Sequence, residues 1–308
     1  LGSFSSGGAK RLMVAIDQAV FLDGPPCVVV DRVKMTYKVP SSVGSTSSRK
    51  GIRGSLRKVF RRDNLVTVSA LKEISLVVER GESVGIIGRN GSGKSTMMKL
   101  ISGQVAPTEG AVYASSTPVL LGVHAALVPD LSGDQNVVLG CLAMGMDIKE
   151  IDERFDSIVE VSGLESAIYL PMKSYSSGMA SRLRFAIAAA VNPEILLVDE
   201  ALNTGDAQFS NRSKARMDEL RAQAGCVFIV SHSLDTIRNM CSRVIWLDKG
   251  ELIMDGETEE TTQLYHEFSS HLSKGNNITA GKIKDQARAN LVATQVLERA
   301  SGRRMEGR

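Results

Sequence analysis

No apolar run in the 308-residue chain approaches the roughly 20 residues that a membrane-spanning helix needs. The sequence leads to the expectation of no signal peptide. Arg11 to Leu22 comes nearest, but Asp17 breaks its apolar stretch and no small-residue cleavage site follows. Only four cysteines are present (Cys27, Cys141, Cys226, Cys241), and none has paired spacing. Scattered in this way they point to a reducing compartment and to small buried hydrophobes rather than to disulfides or a metal site. Net charge is only +3, too little to argue for a nucleic-acid partner. No internal repeat and no sustained heptad occur. What remains is one or two domains whose 43% hydrophobic content can build a sizeable core. The expectation is a cytosolic protein, or one attached to a membrane only through a partner.

The chain divides by composition. Residues 1–27 read as an N-terminal extension, Gly/Ser-rich and then weakly helical, ending at Pro25-Pro26. Val28 to Tyr37 alternates apolar and polar residues as an outer strand does. A turn-rich insert of about residues 40–66 follows, in which Arg49 to Arg62 carries seven basic residues and no acid. Within it Ile52, Leu56, Val59 and Phe60 share one helical face. Leu71 to Glu79 resumes strand character. Residues 133–192 are mostly helical in pattern, with Asp147 to Val161 the clearest helix. Val244 to Leu247 and Leu252 to Met254 flank a hairpin at Lys249-Gly250, and residues 273–308 read as a polar tail with a helix near Lys282–Arg299.

The strongest motif is Gly88-Arg-Asn-Gly-Ser-Gly-Lys-Ser-Thr96, which fits the phosphate-binding pattern G-x-x-x-x-G-K-[ST]. It follows the apolar run Ser83 to Ile87 and leads into the helical stretch Thr96 to Ile101, the context that the motif requires. Gly88, Gly91 and Gly93 let backbone N–H groups close around phosphates, with Asn90, Ser92 and Thr96 beside them. The helix start adds a partial positive charge. Lys94 would reach the β- and γ-phosphates of ATP, and Ser95 would ligate Mg²⁺.

Three further segments complete a constellation. Ile195-Leu-Leu-Val-Asp-Glu200 is an apolar strand ending in acids. Asp199 would hold the metal through water, and Glu200 would polarise a water against the γ-phosphate. Such a pair is also what a solvated strand end looks like. Lys173 to Ala180 is a small-residue helix start, readable as an N-cap alone. Val230-Ser-His232 is a strand ending in His. It could be structural, or it could contact the γ-phosphate if that strand lies beside the loop strand.

In this order and spacing the motifs resemble the ATP-binding-cassette ATPases over roughly residues 28–272. The resemblance implies an α/β fold: a phosphate-loop NTPase core with an antiparallel β subdomain and an inserted helical subdomain. It places Tyr37 as the aromatic that stacks on adenine. Ser176, Ser177 and Gly178 stand in the signature that acts on the partner subunit's ATP, and Asp206 in the dimer-contacting loop. The Tyr-Ser-Ser-Gly-Met signature and Asp199-Glu-Ala-Leu-Asn-Thr-Gly-Asp206 resemble the subgroup exporting O-antigen, teichoic acid or cell-wall galactan. Leu120 to Leu131 resembles that subgroup's substitute for the usual glutamine loop, with Val123 or His124 near the place of the glutamine.

The function so implied is the ATP-hydrolysing subunit of an exporter of a lipid-linked cell-surface polysaccharide. Two copies would pair head to tail on a two-copy permease, at the cytoplasmic face of the bacterial plasma membrane. ATP and Mg²⁺ would be bound, Glu200 and His232 would be catalytic, and no nucleic acid would be involved. The alternative is the ATPase of an importer or other small-substrate transporter. The basic segment 49–62 has three readings: a solvated helix face, a membrane-surface contact, or a gate meeting the lipid pyrophosphate. The short remainder beyond the core leads to the expectation of no C-terminal sugar-binding sandwich.

Overall fold

The computed structural model describes residues 2–3, 12–15, 19–21, 25–40, 65–121, 127–199, 207–291 and 294–298. The basic segment 49–62, Val123 and His124, Glu200 and Asp206 lie outside the described residues. In chain order the elements are β1 (Gly2–Ser3), β2 (Leu12–Ala15), β3 (Ala19–Phe21), β4 (Val28–Pro40), β5 (Leu65–Val78), β6 (Ser83–Ile87), α1 (Lys94–Ile101), β7 (Glu109–Ala114) and β8 (Val119–Leu121). Next come α2 (Gly133–Ala143), α3 (Ile148–Ser162), α4 (Ser177–Ala190), β9 (Ile195–Asp199), α5 (Ala207–Gln223), β10 (Cys226–Val230) and α6 (Leu234–Met240). The series ends with β11 (Arg243–Asp248), β12 (Glu251–Glu257), α7 (Thr258–Ser273), α8 (Asn277–Ala289) and β13 (Gln295–Glu298).

Six strands form the central sheet in the order β12-β11-β6-β10-β9-β8. All neighbours are parallel except the edge pair β11–β12. Every residue of β10 is buried, as continuous apolar strands covered on both faces must be. One face packs on α1 and on the sheet β1-β7-β4-β5, antiparallel except for the parallel pair β1–β7. There Val28, Val30, Val33 and Leu76 meet Val84, Ile86, Phe228 and the α1 methionines Met97 and Met98. The other face buries Phe185, Trp246 and Ile253 under α4, α5, α7 and α8. A third cluster joins α2, α3 and α4 through Val137, Ile158, Leu183 and Ile187.

Local signals account for the helix ends. Ser132 and Gln135 form a capping box at α2, as do Asp147 and Glu150 at α3. Gly163 stops α3 with φ 61°, a left-handed conformation that glycine adopts without strain. α7 is fastened to β11 by aromatic contact: Trp246 lies 5.0 Å from Phe268 and 5.4 Å from Tyr265, centroid to centroid. Each such pair contributes about 0.5–1.5 kcal/mol beyond its buried area.

Three stretches differ from their sequence reading. Residues 12–15 and 19–21 are strands rather than weak helix, paired with β13 in a three-stranded sheet. Short apolar runs carry no period of their own, so the pairing partner decides. β5 begins at Leu65, because Val66 and Val68 pair with Val39 and Tyr37 of β4. In the stretch read as a polar tail, the helix runs over Asn277–Ala289, Ala280 and Ala287 are buried, and a strand follows at Gln295–Glu298.

All four cysteines are buried and free. Burial raises the Cys141 thiol to about 11 and the Cys241 thiol to about 12. A thiol hydrogen bond with Cys27, reinforced by burial, also pushes Cys226 up. Below pH 9 the folded chain holds Cys141 and Cys241 as unreactive thiols. Above it the unfolded chain ionises first, so this contribution to stability declines towards pH 12. At pH 8 an aromatic disulfide reagent should find no fast-reacting thiol in the folded chain and all four in denaturant. A rapid stoichiometric reaction of the native protein would contradict this burial.

Candidate phosphate-binding site

β6 delivers the chain into the loop 88–93 and α1 carries it away. β10 lies between β6 and β9, with Val230 opposite Ile86 on one side and Asp199 on the other. The carboxyl ends of the three strands therefore share one sheet edge, the edge where open parallel sheets bind ligands. Asp199 closes β9 and is half-buried there. His232 follows β10 by two residues, exposed, just before Ser233 caps α6 by accepting the Thr236 N–H at 3.2 Å. The proposed adjacency of the His-bearing strand and the loop strand is thus present.

Two glycines shape the loop for reasons internal to the chain. At Gly88 (φ 149°) a Cβ would lie 2.2 Å from the Leu247 carbonyl and 2.6 Å from Ser92 Oγ. At Gly93 (φ 111°) it would lie 2.5 Å from Leu71 Cδ2 and 2.9 Å from the Ala70 carbonyl. The loop is thus wrapped tightly against β5 and β11, and its backbone is left to face outward. Lys94 is only 7% exposed, and its Nζ donates to the carbonyls of Gly88 at 2.6 Å and Arg89 at 3.1 Å. The ammonium is folded over the loop it belongs to.

The donor set fits a phosphate group. α1 starts at Lys94 behind the N-cap Gly93, with no side-chain cap and no acid in its first turn. The first N–H groups of a helix have no intrahelical acceptor and carry the positive end of its dipole. Ser92 Oγ is buried and has no hydrogen-bond partner among the described residues. Ser95 is exposed in the first turn of α1, Thr96 half-buried, and Asn90 exposed at the loop's crown. An anion with several oxygen acceptors matches these groups. No cluster of three or more metal-ligating side chains occurs among the described residues.

Tyr37 sits on β4 opposite Val68, half-buried against the cluster that includes Leu71 and Met97. The other motif lies at the start of α4. Ser176 is the N-cap, accepting the Met179 N–H at 3.2 Å, while Ser177 and Gly178 open the helix. All three are exposed. Tyr175 is held behind them, its hydroxyl donating to the Ala167 carbonyl at 2.7 Å. Burial, then the charge of Asp134, raises its phenol. Among the described residues, Gly178 has nothing nearer its missing Cβ than Ser176 Oγ at 3.8 Å, so none of them requires a glycine there.

One part of the site escapes sequence reading. The Lys249-Gly250 turn does more than join β11 to β12: the Gly250 N–H donates to the Ser92 carbonyl at 2.9 Å. Its only signal in the sequence is a Lys-Gly pair suited to positive φ, observed at 48° and 77°. The two described concavities, of about 280 and 390 Å³, lie elsewhere: one among α3, α4 and α5, the other beside β5, β12 and α8.

A sequence profile of the ABC transporter family matches residues 71–203. The teichoic acids export ATP-binding protein TagH of Listeria innocua is 38% identical over 226 residues, covering 73% of this chain and 68% of that protein. Its namesake in Shouchella clausii is 41% identical over 199 residues, covering 65% and 55%. The O-antigen export system ATP-binding protein RfbB of Myxococcus xanthus is 40% identical over 204 residues, covering 66% and 47%. The chain thus spans about half to two thirds of the length of these relatives. Among solved structures, an ATP-binding subunit of an ABC transporter superposes with a TM-score of 0.59 at 22% identity, covering 78% of this chain and 93% of that one. A dimeric ATP-binding cassette in a post-hydrolysis state, bound to ADP and Pi, gives 0.56 at 24% identity, covering 75% and 98%. These two likenesses show the fold.

Proposed function

Because the chain belongs to the ATP-binding family of ABC transporters, we propose that it hydrolyses ATP to drive export of a lipid-linked cell-surface polysaccharide through a separate permease. The observation that carries the ATPase reading is the glycine-wrapped loop with Lys94 folded over it, at an uncapped helix start. The cargo reading draws on the relatives named for teichoic acid and O-antigen export at about 40% identity.

In this reading the backbone of residues 88–96 and Lys94 bind and orient the phosphates of ATP, and Tyr37 offers its ring to adenine. Ser95 and Asp199 would hold Mg²⁺, which supplies neutralisation of phosphate charge when bound. Glu200 takes the proton of the attacking water, and His232 donates to the γ-phosphate. Positioning and electrostatics dominate phosphoryl transfer, so a fixed cradle and one base suffice.

The exposed Ser176-Ser177-Gly178 segment supports a site shared by two copies packed head to tail, with Asp206 read as part of the dimer-contacting loop. A glycine that none of the described residues of its own chain requires is understandable if a second molecule approaches it. No helix among the described residues is long and apolar enough to cross a membrane. A separate permease supplies that path, and the chain works peripherally at the cytoplasmic face of the plasma membrane. Val138, Leu139 and Leu142 leave an apolar face of α2 exposed, which supports permease contact through the helical region 133–172.

Ser177→Arg tests the shared site. The variant should bind ATP at its own loop with unchanged affinity, yet lose about 10²-fold in turnover, because the second copy no longer completes the site. In cells that make the polymer, it should leave lipid-linked polysaccharide on the inner leaflet. Wild-type turnover with Ser177→Arg would rule out the shared site, and normal surface polymer would rule out the export reading.

A further inference from the structure

The wall against which the phosphate loop is built is held from the far end of the chain. The Gly250 N–H donates to the Ser92 carbonyl at 2.9 Å, and the Gly250 carbonyl accepts the Lys72 N–H at 2.7 Å. The Leu247 carbonyl is the atom that excludes a side chain at Gly88. Any shift of the β11–β12 turn therefore moves the loop backbone. The residues flanking that turn, Asp248 and Glu251, face each other in register.

Both carboxylates are paired with cations of α8. Asp248 is 5% exposed, and its Oδ2 accepts from Lys284 Nζ at 2.6 Å. Glu251 accepts from Arg288 Nη2 and, at 2.5 Å, from Lys72 Nζ. Lys284 and Arg288 are four residues apart, on the same side of the helix. α8 is itself seated by its buried Ala280 and Ala287 in the cluster that contains Trp246 of β11. The exposed Arg288 pair is screened by water, whereas the Asp248–Lys284 pair is largely withdrawn from it. On the α7 side Tyr265 lies close enough to feel the charge of the loop residue Arg89, although burial dominates and raises its phenol.

We propose that Lys284 is a positioning residue for the phosphate loop: through Asp248 it fixes the Lys249-Gly250 turn, and through Gly250 the Ser92 carbonyl and the loop's ATP-binding conformation. The proposal rests on the reading that this loop binds ATP. Lys284 touches no nucleotide. Its effect is on how much of the population has the loop set for binding, so it reads out in affinity rather than in the chemical step.

The test uses the full chain, a fluorescent ATP analogue for affinity, steady-state phosphate release for kcat and KM, and urea melts for stability. Lys284→Met should weaken nucleotide affinity and raise KM about tenfold, within the usual range for coupling between sites, with kcat changed less than twofold. Lys284→Arg should recover most of the affinity. Lys284→Met leaves a buried carboxylate unpaired and will also lower stability. The double variant Asp248→Asn/Lys284→Met removes that charge. It should regain stability while its affinity stays low, a separation that a purely structural role would not produce. Parent-like affinity in Lys284→Met, or affinity returning with stability in the double variant, overturns the proposal. A parent chain that binds no ATP overturns the ATPase reading instead.

Discussion

Lys94→Ala is expected to hydrolyse ATP about 10²–10³-fold more slowly than the parent chain, the usual loss when one preorganised charge partner of a reacting group is removed. The structure gives the reason in two parts. The ammonium is nearly buried and already placed at the loop, held by the carbonyls of Gly88 and Arg89. It costs little reorganisation when phosphate oxygens arrive. Its removal also leaves two loop carbonyls without their charged donor, and about 1–3 kcal/mol of stability should go with it. Arginine is not a substitute, because its planar fork does not match a slot shaped for a point charge. Phosphate release, nucleotide affinity and a urea melt on the same preparations separate the two losses. Turnover within threefold of the parent would remove Lys94 from the proposed chemistry.

Glu200→Gln is expected to leave ATP binding intact while cutting turnover by about 10²–10⁴-fold, the range for loss of a general base. Glu200 is the next residue after Asp199, which ends β9 at the edge where β6 and β10 also end. Glutamine keeps the size and loses only the capacity to take a proton. With hydrolysis blocked, bound ATP should hold two copies together, so the variant should elute as a dimer with ATP and as a monomer with ADP. Wild-type turnover would mean that another group takes the proton. A slow monomeric variant would keep the base and discard the shared site.

Both predictions start from residues legible in the sequence, and the way they were legible is instructive. The loop declares itself because glycine spacing, lysine and hydroxyl must all be local to close backbone around a phosphate. β6, β9 and β10 are visible as short unbroken apolar runs because both of their faces are covered. The start of α1 was less visible. The apolar pattern predicts it from Thr96, but it begins at Lys94, because Gly93 caps it by conformation without a side-chain signal. The expected helix near Lys282–Arg299 gave way to α8 over Asn277–Ala289 and a strand beyond it. A polar stretch with buried alanines seven apart reads as solvent-facing until the surface beneath it is known.

Taken alone, the sequence determined the strand–loop–helix unit, the order of its companion motifs and the absence of a membrane-spanning run. Each of these rests on residues within a few positions of one another, where backbone sterics and periodicity act directly. The tertiary structure alone decided that β10 separates β6 from β9 and that the Leu247 carbonyl excludes a side chain at Gly88. It also decided that a turn more than 150 residues along the chain donates to the Ser92 carbonyl. These follow from packing between segments whose sequences carry no mark of each other. A hydrogen bond to a backbone carbonyl can be made by almost any residue. Only the fold determines which one arrives.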